Sequence, residues 1–555
     1  MTKPELWHPA DGLVLEPNAV AAAREQHRSL ALTAGPGAGK TEMLAQRADF
    51  LLRTGLCTYP QRILAISFKV DASRNLKERV RRRCGFSLAT RFDSHTFHAF
   101  AKRLIDKFLP ALTGINALEP EYTIGPRRFG RTQITFGDLV PLAIEILTTC
   151  AVARNAVRQT YSHIFLDEFQ DCTNVQYELI KVAFGGSNST LTAVGDTKQR
   201  IMGWAGALEG IFTKFANDFS AIGLNLYQNF RSAPRLRRMQ NAMVKVMEPA
   251  AAASDADLQG NEGEIEIMSF EDSQQEAAAL AALCKKWIEV EGIAPSQIAV
   301  LVSRQPESYA QHLMAEFEQL GISYRNEQKL QDLSAEPAAR LVIDFLTVIL
   351  GEREPDAYRR LMDVLMAAII DDSDIYGLQN QWGQFLDDAR KEARQHPITA
   401  TDLTLLRKLT GDFLTKLGRE AQIALSSEYE QGGRLDTVIQ ETFNRLTELS
   451  RSETDFMKVL LLFSEDTAVR IMTIHKCKGL EFDSVIILGI ERETFWGALD
   501  EERSAFFVGI SRAKRRLKLT FAKRRSRPDG HTGRWDEART PQQEFLGYAT
   551  VAISS

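Results

Sequence analysis

Residues Ser29–Thr41 read SLALTAGPGAGKT. The opening SLALTA is a short apolar run of the kind that forms a buried strand. It breaks into the small residues Ala34, Gly35, Pro36, Gly37, Ala38 and Gly39, then Lys40 and Thr41, before the amphipathic stretch EMLAQRADFLL. Strand, small-residue turn and helix in that order make a loop whose backbone N–H groups can surround phosphate oxygens. The Lys40 ammonium then reaches the terminal phosphates, and the Thr41 hydroxyl suits a Mg2+ ion beside them.

Working outward, similar apolar runs recur at Arg62–Phe68 (RILAISF), Ser162–Leu166 (SHIFL) and Thr190–Val194 (TLTAV). A second series follows at Glu264–Met268, Ile298–Val302, Val469–Met472, Ser484–Leu488 and Arg516–Phe521. Short apolar runs separated by amphipathic stretches are the pattern of parallel strands joined by crossover helices. Two parallel-sheet α/β cores are therefore expected. Ala338–Phe463 differs: AARLVIDFLTVIL and YRRLMDVLMAAII repeat apolar residues at helical spacing. That stretch interrupts the second core, as a shorter helical one, roughly His95–Tyr161, interrupts the first. Pro249–Glu262, PAAAASDADLQGNE, is the most linker-like segment.

The chain has 555 residues, 44% hydrophobic and 25% charged, which excludes disorder, collagen and coiled coil as dominant forms. Sixty-eight basic against 72 acidic residues leave a net charge of −4, so any nucleic-acid surface must be local. No run is long and apolar enough for a membrane span, and no hydrophobic leader opens the chain, so no membrane partner is expected. The six cysteines form no C-x-x-C pair, which fits a reducing cytoplasm and argues against zinc.

The strand SHIFL runs into Asp167–Asp171, DEFQD. A strand delivering two adjacent acids beside a phosphate loop has a ready chemistry. Asp167 would hold Mg2+ through water, and Glu168 would orient and deprotonate an attacking water. The competing reading is an acidic cap on the following helix.

Through these motifs and those that follow them, the chain resembles the UvrD/Rep-type helicases of superfamily 1, from Leu15 to Arg515. Thr473–Asp483 (TIHKCKGLEFD) resembles the family's fifth motif and Glu501–Leu517 (EERSAFFVGISRAKRRL) its sixth. Gly195–Ala207 (GDTKQRIMGWAGA) and Leu226–Ser232 (LYQNFRS) resemble its third and fourth. The resemblance implies two RecA-like P-loop domains, each with a mostly helical insertion, and ATP with Mg2+ between them. The expected division is 1–94 and 158–235 for the first domain and 95–157 for its insertion. The second domain takes 236–340 and 464–555, and its insertion 341–463.

The same resemblance implies roles residue by residue. Gln199 senses the γ-phosphate, and Arg231 and Arg512 are fingers to it from across the cleft. Phe230 stacks on adenine and Glu481 accepts from the ribose. Phe68, Thr96, Phe97, His98, Met202, Trp204 and His475 lie along the DNA strand. Plainer roles stand beside these: a core aromatic for Trp204, surface ion pairs for the arginines, a strand-edge acid for Glu481, a structural bond for His98. The basic clusters Arg79–Arg83, Arg235–Arg238 and Lys523–Arg527 serve either a phosphate surface or a solvated face. Two positions depart from the family pattern: Ala19 stands where it reads adenine with Gln, and Glu42 where it carries Arg. Met202 and Ala205 also replace its usual Tyr and Arg, and the Lys40–Asp167 stretch is short.

The activity so implied is an ATP-dependent, 3′ to 5′ single-stranded DNA translocase or helicase acting on single strands or tailed duplexes, in repair or in bacterial phage defence. The alternative is a DNA-activated ATPase switch that loads or licenses a partner nuclease or effector with little unwinding.

Overall fold

A computed structural model describes residues 2–68, 70–125, 127–199, 210–326, 336–367, 375–395, 403–423, 433–451, 455–464, 468–528 and 533–554, with single positions between them. Two six-stranded, wholly parallel sheets organise the chain. The first holds β1 (Leu30–Ala34), β2 (Arg62–Ser67) and β3 (Phe92–Thr96). A small separate pair follows, β4 (Thr123–Ile124) and β5 (Gln133–Ile134). The first sheet then resumes with β6 (Tyr161–Leu166), β7 (Thr190–Gly195) and β8 (Ile222–Leu226), in the order β3-β2-β6-β7-β1-β8. The second holds β9 (Glu264–Asp272), β10 (Ile298–Val302), β11 (Tyr324–Asn326), β12 (Val469–Thr473), β13 (Phe482–Leu488) and β14 (Ala513–Arg524), in the order β11-β12-β10-β13-β14-β9.

The central strands β7, β10 and β13 are buried at every position because both sheet faces are covered, and they are mostly apolar. Five strands were not expected from their sequence: the short pair β4 and β5 inside the first insertion, and β3, β8 and β11, which all lie at edges of the two large sheets. An edge strand covers less apolar surface, and FDSHT and IGLNL carry correspondingly polar, half-exposed positions.

Between β11 and β12 the described residues are mostly helical, from Pro337–Leu350 to Phe456–Ser464. Helix Pro337–Leu350 buries Leu341, Val342, Phe345, Leu346 and Ile349, a stripe at three- and four-residue spacing. Phe345 stacks on Phe413 of a neighbouring helix, ring centroids 4.3 Å apart. The buried side chains of these helices form one continuous apolar cluster with those of the segment between β3 and β6. The crossing between lobes falls earlier than Pro249–Glu262. Helix Pro234–Met247 already buries Leu236, Met239 and Met243 in the second lobe's core, so the chain passes over at Tyr227–Ala233. Among the described residues no single helix is long and apolar enough to cross a membrane.

Candidate active site

β1 ends in the glycine-rich loop, and helix Lys40–Thr54 starts immediately after it. Gly37 and Gly39 both have left-handed backbone, φ +72° and +73°. Gly37 is required twice over, since a Cβ there would sit 2.4 Å from Asn229 Oδ1 and 2.7 Å from the Arg231 Cβ. The loop is thus pressed onto the segment crossing to the second lobe, with Phe230 N–H donating to Gly37 O at 3.0 Å. No side chain caps the helix at Gly39, so its first N–H groups are free donors at a positive helix end. A triphosphate fits that cradle.

β6 delivers Asp167 and Glu168. Asp167 is buried and Glu168 adopts φ +50°, a strained conformation for a non-glycine residue that turns its carboxylate out of the strand line. Burial raises Asp167, the Glu168 charge adds to that, and Lys40 opposes it. Burial opposes ionisation of Glu168 too, but Lys40, Lys478, the Gln170 amide and Arg512 together hold it low. Gln170 Nε2 donates to Glu168 Oε2 at 2.6 Å, and Gln170 Oε1 accepts from the Asp196 N–H. A buried carboxylate at a strand end that feels the Lys40 charge, together with the hydroxyl of the next residue, Thr41, is a donor set that suits Mg2+.

The second lobe meets this corner directly. Arg512 Nη2 donates to Gln199 Oε1 at 2.9 Å, while Gln199 Nε2 donates to Asp196 Oδ2 at 2.8 Å. Lys478 Nζ binds both oxygens of Asp171, at 2.8 and 2.7 Å, and Gln199 O at 2.8 Å. Arg231 Nε donates to Glu481 Oε2 at 2.8 Å, and its Nη1 to Ser511 O at 3.2 Å. Lys514 takes the other Glu481 oxygen at 2.8 Å. Although burial opposes it, Lys514 and Arg231 hold the Glu481 carboxyl below its ordinary value. The structure therefore gathers Lys40, Asp167, Glu168, Gln199 and Arg512 in one corner, and pairs Arg231 with Glu481 beside it.

A cleft of about 310 Å³ opens next to the loop, lined by Gly35, Pro36, Tyr227, Gln228, Phe230 and Phe507. Phe230 is 60% exposed there, free to accept a stacked ring. Ala19 is buried and Glu42 is bound by Arg79 at 3.2 Å and Arg83 at 2.8 Å. Sequence reasoning passed over Glu16, whose buried carboxylate accepts from the N–H groups of Tyr227 and Gln228 at 3.3 and 2.7 Å. It also passed over Asn229, which fixes the Arg231 backbone by accepting its N–H at 2.8 Å, and over Asp171 and Lys478. The last three stand inside the motifs already quoted, which was the available signal.

Phe68 meets Phe97 edge-on, centroids 5.3 Å apart. Phe97 itself is only 2% exposed, which corrects its expected place on the strand: its ring is core, supporting Phe68. Thr96 caps helix Phe97–Lys107 by accepting from Ala99 N–H at 3.2 Å. His98 stacks on Phe136, centroids 3.8 Å apart, and its burial pushes it down to about 4. His475 is exposed at the surface, yet desolvation of its ring lowers it, with Arg304 adding to that and Glu502 opposing it. Met202, Trp204 and Ala205 lie outside the described residues.

Two parallel-sheet lobes, one carrying a phosphate loop and an acidic strand end, the other bringing cations to the same corner, define a two-lobed P-loop protein of the RecA-like kind. Residues 15–129 and 121–220 match the UvrD/REP helicase N-terminal domain, and residues 224–395 and 408–524 the UvrD-like helicase C-terminal domain. The chain belongs to the UvrD/REP helicase family. It is 25% identical over 635 aligned residues to DNA helicase II of Escherichia coli, spanning 91% of this chain and 84% of that protein. Against the ATP-dependent DNA helicase PcrA of Leuconostoc citreum the identity is 23%, over 89% and 80%. Against a probable DNA helicase II homolog of Rickettsia conorii it is 24%, over 92% and 93%.

Proposed function

We propose that this enzyme is an ATP-dependent DNA helicase that moves 3′ to 5′ along one strand, in the cytoplasm, in repair or phage defence. The observation that carries the reading is the Arg512–Gln199 contact, which puts a second-lobe guanidinium in the corner holding Lys40, Asp167 and Glu168. The loop amides and Lys40 bind the phosphates. Thr41 and Asp167 would hold Mg2+, which when bound neutralises phosphate charge. Glu168, kept ionised by its cationic neighbours, orients the attacking water and takes its proton. Arg512 and Gln199 face the transferring phosphate. Arg231 leaves Glu481 to join them, which frees that carboxylate for the ribose, with Phe230 against the base. Closure of the cleft on ATP and its release on hydrolysis move the two lobes relative to each other. With Phe68, Thr96 and His98 on one lobe and His475 on the other, alternate gripping advances the strand.

Strand displacement on a 3′-tailed duplex tests this reading, with a 5′-tailed duplex as the polarity control. Displacement of the 5′-tailed substrate alone would reverse the direction. The short first insertion motivates a second reading, an ATPase switch that licenses a partner nuclease or effector. Strong DNA-stimulated hydrolysis with no displacement on either substrate would favour it.

A further inference from the structure

Three basic clusters stand out in the sequence, and each is largely consumed internally. Arg79 and Arg83 bind Glu42. Arg237 and Arg238 donate to the backbone carbonyls of Asp257, Leu258 and Gly260. Arg525 is buried between Glu276 and Glu491, and Lys523 pairs with Glu271. A fourth cluster behaves differently. Arg127–Thr132, RRFGRT, forms the turn between β4 and β5, and all six residues are exposed.

The turn is well braced. Phe129 N–H donates to Gln133 O at 2.8 Å, Gln133 N–H returns to Phe129 O at 3.2 Å, and Gln133 Nε2 holds Arg127 O at 2.8 Å. Gly130 takes the left-handed position, φ +52°. Arg128 is tied down by Asn116 Oδ1 at 2.6 Å. Phe129 nevertheless projects with its ring 75% exposed. Arg127 and Arg131 on either side of it have no carboxylate partner among the described residues. A rigid turn that shows an aromatic ring between two uncommitted guanidinium groups has the chemistry of a nucleic-acid stacking platform. Its root points the same way: β5 runs straight into Thr135 and Phe136, and the Phe136 ring stacks on His98.

We propose that this turn is an additional grip for single-stranded DNA, with an unpaired base on Phe129 and the flanking phosphates on Arg127 and Arg131. It rests on the DNA-motor reading above, and the experiment separates the two. Binding of a fluorescent single-stranded oligonucleotide to the full chain is measured across a salt series. The proteins compared are wild type, Phe129→Ala and the double variant Arg127→Gln/Arg131→Gln. Phe129→Ala is expected to weaken binding by roughly five- to a hundredfold, the loss of one stacked base. The double variant is expected to flatten the log affinity against log salt by about 1.4, or about 0.7 per lost phosphate contact. DNA-independent ATPase should stay unchanged in all three, since none of these side chains touches the cleft. A wild type that hydrolyses ATP without binding the oligonucleotide would overturn the motor reading. A wild type that binds, with both variants matching its affinity and salt slope, would overturn the grip alone.

Discussion

Arg512 and Gln199, 313 residues apart in sequence, are joined by a 2.9 Å hydrogen bond across the two lobes. The remaining donors of Arg512 go to Val508 O, Leu480 O and Ser511 Oγ, so its own lobe holds the guanidinium rigidly. Burial lowers it only to about 10, and it remains charged at neutral pH. A cation held in place before the reaction costs no reorganisation when charge develops on the phosphate. Arg512→Ala should therefore lower kcat of DNA-stimulated hydrolysis by about 10³-fold or more, with a much smaller change in KM. Arg512→Lys should rescue little, because a single ammonium cannot hold the four contacts at once. Phosphate release under saturating DNA is the measurement, and a kcat within tenfold of wild type would remove Arg512 from the chemistry.

Glu168→Gln separates binding from turnover. The amide keeps the shape and can still meet Gln170, but it cannot take a proton. Nucleotide affinity should hold within a few-fold while hydrolysis disappears. Equilibrium binding of a fluorescent ATP analogue beside a turnover assay checks both, and persistent turnover would assign the base elsewhere.

Asp171 and Lys478 form another tie between the lobes, a buried ion pair at 2.7 Å. Removing one partner takes a counter-charge from the other in a low-dielectric site, at a cost of up to about 3–5 kcal/mol, less what the remaining contacts of Lys478 with Gln199 O and the Glu168 charge recover. Asp171→Ala should lower the urea midpoint accordingly, and Asp171→Ala/Lys478→Ala should cost clearly less than the two single changes added together. Additive losses would mean that the two side chains do not act as a pair.

What the sequence made readable follows from where each element sits. Strands buried on both faces announce themselves as apolar runs, so β1, β2, β6 and β7 of the first sheet were found. The edges β3, β8 and β11 were not, because solvent on one side permits Asp93, Ser94 and Asn225 within them. Lys40, Asp167 and Glu168 were legible because each stands in a contiguous motif whose chemistry needs its neighbours. Glu16 was not, because its partners, the N–H groups of Tyr227 and Gln228, lie 211 and 212 positions away. Arg231 and Glu481 were both found, but their pairing with one another was not, since local spacing carries no information about a contact across a cleft.

His163 carries a pH dependence of its own, away from the cleft. It lies in β6, buried, with Nδ1 2.9 Å from Ser162 Oγ. Burial, reinforced by the nearby charge of Arg47, pushes it from 6.5 down to about 3. Its folded form is therefore neutral where the unfolded chain already binds a proton. Stability from this residue is complete above about pH 6.5 and is lost as pH falls through about 3, with a slope of at most about 1.4 kcal/mol per pH unit. His95 and His98, both pushed down to about 4 by burial, add in the same direction. Urea unfolding at stepped pH should thus show stability falling on acidification, more shallowly in His163→Gln, whose amide does not titrate. Equal slopes for that variant and the wild type would mean that His163 is protonated in the fold as readily as in the unfolded chain.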